Sequence, residues 1–150
     1  MSKGPLNYTS EVPATKTIAE ITEILRQHGA MHIVIHYDDQ QEPAGLGFYV
    51  RTPIGERGFD MPVDAHKVLR VLEKRRLERN LRVRPPDLDQ ARRTAWRVIK
   101  DWLAGQLAIY EWDLVSLDQV MLAYMHTGPG RTLYADIVEN RLLLQKPPEE

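Results

Sequence analysis

Cysteine is absent from the 150 residues, which excludes a disulfide framework, a thiolate metal site and a cysteine nucleophile together. No apolar run approaches the roughly 20 residues that a membrane-spanning helix needs. The opening MSKGPLNYTSEVPA has no apolar centre of the kind a signal peptide carries, so a cytoplasmic location is expected. Serine is scarce, with only Ser2, Ser10 and Ser116. No G-x-S-x-G, H-E-x-x-H or phosphate-cradling glycine loop occurs, because Gly45-Leu46-Gly47 enters a strand rather than opening a helix. The five histidines are scattered. His32, His36 and Asp38 alternate along one strand face, but without a partner from another element they read as a solvated sheet face, not a metal site. No catalytic residue, metal or cofactor is assigned, and the expectation leans away from an enzyme.

What is present is ordinary globular material, 43% apolar and 27% charged, with length enough for a self-sufficient core. A single domain over 1–150 is expected, with an extended lead-in over 1–14 and a loose tail over 146–150. Thr15 or Thr17 reads as a helix cap, Thr17 with Glu20 forming a capping-box pattern. Ile18, Ile21, Ile24 and Leu25 follow at helical spacing, and Gly29 ends the helix in a left-handed conformation. The period then changes to two. Met31, Ile33, Ile35 and Tyr37 share one face of a strand. Leu46, Phe48 and Val50 mark a second strand, and Phe59 and Met61 a short third one, with turns over 38–45 and 53–58. Asp64 caps another helix, with Val68, Leu69, Leu72 and Leu77 inward, ending before Pro85-Pro86.

From Asp87 to about His126 the helical period is unbroken. Forty residues would make a rod of roughly 60 Å, longer than such a domain is wide. Ser116 with Gln119 signals a break near Val115 into two helices. A turn at 127–130, a short helix over about 132–139 and a short strand at 141–145 complete the reading. The expected class is α+β: an N-terminal helix and a three-stranded antiparallel meander packed against a C-terminal set of helices, one of them long and central. Its first five elements share the order of double-stranded-RNA-binding domains. The lysine cluster those domains carry at their last helix is missing, since Asp64, Ala65, His66 and Lys67 stand there.

The long helix is apolar on two opposed sides. Trp96, Ile99, Leu103, Leu107, Tyr110 and Leu114 fall together, and Val98, Trp102, Gly105, Ile109 and Trp112 fall opposite. The first row is expected to face the home domain. The second, with Trp102, Gly105, Ile109 and Trp112, is expected to meet a second copy in a homo-oligomer, a dimer or higher. The alternative is a central core helix in a monomer.

Charge is uneven. Net charge is −1, yet 67–100 holds twelve basic and four acidic residues. Arg93, Arg97 and Lys100 share one helix face, and their arrangement suits a phosphate-bearing ligand. Arg75, Arg76 and Arg79 are expected to support them. A solvated face, with arginines paired to nearby acids, is the competing reading.

Several segments together resemble a family of small uncharacterised proteins of bacteriophages and other mobile elements. They are Asn7-Tyr8-Thr9-Ser10 with Val12-Pro13, Lys16-Thr17-Ile18-Ala19-Glu20-Ile21, and His28-Gly29-Ala30. Further along come Ala91-Arg92-Arg93-Thr94-Ala95-Trp96-Arg97, Lys100-Asp101-Trp102, Gln106-Leu107 and Thr132-Leu133-Tyr134. The resemblance implies an accessory gene product, in the host cytoplasm if phage-encoded, and transfers no site residues. The expected function is a non-enzymatic accessory protein binding a nucleotide signal or nucleic acid through the basic strip. The alternative is a protein–protein inhibitor or adaptor acting on a host protein.

Overall fold

The computed structural model describes residues 11–79, 82 and 84–140. The expected short strand at 141–145, the tail over 146–150 and the first ten residues of the lead-in lie outside them. The chain runs α1 (Ala14–Gln27), β1 (His32–Tyr37), β2 (Pro43–Thr52), β3 (Gly55–Pro62), α2 (Ala65–Arg79) and α3 (Leu88–Glu111). A single helical turn, α4 (Leu117–Val120), and a 3-10 turn over Leu122–Tyr124 follow. The hairpin β4 (His126–Gly128) and β5 (Arg131–Thr132) and the helix α5 (Leu133–Asn140) complete the order.

The class is α+β as expected, with β1-β2-β3 an antiparallel meander. The pairing sets Ile33 against Phe48 and Ile35 against Leu46, then Leu46 against Met61 and Phe48 against Phe59. Alternation therefore sends Leu46, Phe48, Val50, Phe59 and Met61 to one buried face. The Phe48 and Phe59 rings stack there at 5.4 Å. That face joins Ile21 and Leu25 of α1 and Trp96, Leu103 and Leu107 of α3 in one core. Trp96 is fully buried and its Nε1 donates to Pro43 O at 3.2 Å, tying α3 to the start of β2.

Both α1 and α2 pack along α3, which makes it the central helix. Its 24 residues span roughly 36 Å. Asp87 caps it, accepting from Gln90 N at 2.8 Å. Two ties set α1 parallel to it: Glu20 to Arg97 and Lys100, and His28 Nε2 to Glu111 Oε1 at 2.7 Å.

Several boundaries differ from expectation. Helix α1 begins at Ala14 with Pro13 at its N-cap, whose carbonyl accepts from Lys16 N at 3.1 Å and Thr17 N at 3.2 Å. Thr17 is an interior, buried residue rather than a cap, and Glu20 turns to α3 instead of closing a capping box. Gly29 does end the helix at φ +91°, with Ala30 N donating back to Leu25 O at 3.0 Å. Leu77 is 65% exposed, because it lies well around the α2 axis from the inward-facing Leu72. The turn at 53–58 shrinks to Pro53-Ile54, with Gly55 at φ +101° opening β3. Asp64 caps α2 as expected, accepting from Lys67 N at 3.1 Å.

The break after α3 is where expected, and the Ser116–Gln119 box is formed. The second long helix is not. After α4 the chain leaves helix because Met125 bridges to Phe59, so the edge of the sheet captures the segment. Thr127 and Gly128, expected as turn, belong to β4, and Pro129-Gly130 make the turn. Among the described residues no helix is long and apolar enough to cross a membrane.

Candidate functional site

The basic strip is drawn onto carboxylates. Arg97 Nη1 and Lys100 Nζ each lie 2.6 Å from the same Oε2 of Glu20. All three side chains are less than one-third exposed. The hydrogen bond from Lys100 pulls the Glu20 carboxyl below its ordinary range, partial burial pushes the other way, and Arg97 adds to the lowering. Arg92, buried one turn earlier, reaches Asp89 at 2.8 Å and Glu42 at 3.8 Å. Arg93 is half-buried and borders a shallow depression with Arg92, faced by Glu11, Glu42 and Asp89. On α2, Arg75 and Arg76 are half-buried and Arg79 is exposed. Arg76, Arg79 and Arg93 have interactions of their own. The structure thus brings Arg97 and Lys100 together around an acid rather than leaving them as a bare ridge.

The outer row of α3 is more open. Val98 is 37% exposed, Ile109 40% and Trp112 80%. A Cβ placed on Gly105 would meet nothing within 4 Å, so another backbone can approach there. Trp102 is half-buried, its ring edge-on to Tyr124 at 5.7 Å. Positions 98, 102, 105, 109 and 112 repeat at intervals of four and three, the spacing of a coiled-coil seam. Two members of the inner row depart from expectation: Tyr110 is 38% and Leu114 74% exposed. The helix ends at Glu111 and Asp113 turns the chain at φ +56°, which takes Leu114 off the helical wheel.

Sequence reasoning missed a third constellation. Asp38 does not share a site with His32 and His36; its Oδ1 accepts from Gln40 N and Glu42 N, both at 2.9 Å, and closes its own loop. His36 instead meets Asp60, Nε2 to Oδ1 at 3.2 Å, and His126 Nε2 lies 2.6 Å from Asp60 Oδ2. The only signal for it in the sequence was the number of glycines in β2 and β3, where bulkier residues are the rule. Among the described residues no group of three His, Cys, Asp or Glu side chains has the geometry to hold a metal ion. Comparison with protein-family models, curated proteins and solved structures finds no match to this chain.

Proposed function

We propose that this protein is a non-enzymatic binding protein that works by protein–protein contact through the outer row of α3. The observation that carries the reading is the row of exposed Val98, Ile109 and Trp112 along α3 and its C-cap, with half-buried Trp102 and open Gly105 between them. Solvent exposure of a tryptophan and two aliphatic residues at seam spacing marks a surface made to be covered. The seam is also close to symmetric about Gly105. An antiparallel second copy crossing there places Trp112 opposite Val98 and Trp102 near Ile109, large against small, as a two-fold contact requires. The first occupant is therefore a second copy of the chain. A host protein with a similar apolar helix is the natural competitor, which is how an inhibitor or adaptor of a mobile element in the host cytoplasm would act.

Sedimentation equilibrium tests this directly. The wild type is expected to be a dimer at micromolar concentration, and Ile109→Glu a monomer with an unchanged circular dichroism spectrum. A wild type that stays monomeric at high micromolar concentration sinks the reading.

A phosphate-bearing ligand, nucleotide or nucleic acid, is the second reading. What favours it now is α2, where Lys67, Arg70 and Lys74 are exposed at spacings of three and four. Binding of that kind weakens steeply between low and moderate salt. Lys67→Glu with Arg70→Glu should abolish it while sparing dimer formation.

A further inference from the structure

Outside α3, the outer face of the sheet is built around one carboxylate. The register aligns His32, Tyr49 and Gly58 in one row, Val34, Gly47 and Asp60 in the next, and His36, Gly45 and Pro62 in the third. The three glycines are occupied space, not gaps. A Cβ on Gly47 would fall 2.7 Å from Asp60 Oδ1, and one on Gly58 2.7 Å from His126 Nδ1. A Cβ on Gly45 would fall 3.2 Å from His36 Cδ2. Glycine inside a strand weakens it, so this face gives up strand stability to seat two imidazoles beside Asp60. The Cδ2–Nε2 edge of His36 lies on Gly45 and Gly47, which turns its Nδ1 edge away from the sheet.

Beside this cluster the sheet, the 3-10 turn and the β4–β5 hairpin with α5 border an open cleft of about 710 Å³, within the range of small-molecule sites. His36 and Asp60 line it together with Tyr124, Thr132 and Tyr134. No Lys or Arg lines it among the described residues. The nearby Arg131 is held by Asp136 and Glu139. A cleft with aromatic and apolar walls, one carboxylate and no lining Lys or Arg repels phosphates and carboxylates and favours donors. His36 Nε2 lies 3.2 Å from Asp60 Oδ1 and His126 Nε2 2.6 Å from Oδ2, and since each carboxylate oxygen has more than one lone pair the group keeps accepting capacity.

We infer that this cleft binds a small aromatic molecule carrying an ammonium or another hydrogen-bond donor, with Asp60 as anchor, His36 as second acceptor and Tyr134 as a ring wall. The inference does not rest on the proposed dimer, although Tyr124 of the cleft touches Trp102 of the α3 row.

Tyramine is a suitable probe, having one ring, one hydroxyl and one ammonium, and 4-hydroxyphenylacetate is its anionic counterpart. Titration of the full chain, followed by histidine and tyrosine NMR resonances, should show saturable shifts at His36 and Tyr134 with tyramine. Binding of 4-hydroxyphenylacetate, and of tyramine to Asp60→Asn, should each be weaker by about tenfold or more. If Asp60→Asn fails to fold, Tyr134→Ala takes its place, since Tyr134 is 63% exposed and outside the core; it should also weaken tyramine. Equal affinity for the two probes, unchanged affinity in the folded variant, shifts located elsewhere, or no shift at about 10 mM tyramine would each overturn the assignment.

Discussion

Lys100 Nζ on α3 lies 2.6 Å from Glu20 Oε2 on α1, the same oxygen that Arg97 reaches. A carboxylate that stays ionised more readily in the folded chain than in the unfolded one stabilises the fold above its unfolded pKa. That contribution disappears as pH falls through the lowered folded value. Glu20→Gln should therefore melt below the wild type at neutral pH, and the two melting temperatures should converge as the pH falls through that lowered value. A gap that stays constant into acid contradicts this account.

The same carboxylate bears on ligand binding. Removing it leaves Arg97 and Lys100 without their shared counter-ion, so Glu20→Gln should elute later than the wild type from a heparin column. Equal elution would mean that neither cation is accessible to an external anion.

Trp96 is fully buried and is one of the largest side chains in the core. Trp96→Ala removes that packing and the donor to Pro43 O, and should cost about 3–5 kcal/mol in urea denaturation. Trp96→Phe keeps most of the volume and should cost clearly less. Equal losses in the two variants would assign the role to the hydrogen bond alone.

Thr94 is 2% exposed, and its Oγ1 has no hydrogen-bond partner among the described residues. Replacing it by the similarly shaped valine removes an unsatisfied polar atom. Thr94→Val should raise stability by about 1 kcal/mol, seen as a higher urea midpoint. A lower midpoint would show that the hydroxyl is satisfied in solution.

Gly29 holds φ +91° with open space around its Cβ position. Gly29→Ala should therefore lose about 1 kcal/mol through backbone strain alone, with no change in the spectrum of the folded state. A neutral substitution would mean that the α1 terminus relaxes into another conformation.

The periodic parts of the fold were legible because local pattern and burial agree. Ile21 and Leu25, Leu46, Phe48 and Val50, and Leu103 and Leu107 each announce their face by spacing alone. Local signals failed where a distant residue decides. Nothing near Met125 in the chain predicts its bridge to Phe59, and the helical period of 116–126 yields to it. The Glu20 ties were hidden for the same reason, since a capping-box reading looks only three residues away. The His36–Asp60–His126 cluster draws on β1, β3 and β4, which spacing within one element does not reveal.

The pairing of Met125 with Phe59 also protects the molecule. A meander of three strands has two borders with unpaired amides and carbonyls, each a template for end-to-end assembly. Here the C-terminal segment shields part of the β3 border. Cutting the chain before Leu122 would strip that shield, and the expected product is an insoluble aggregate rather than a smaller folded domain.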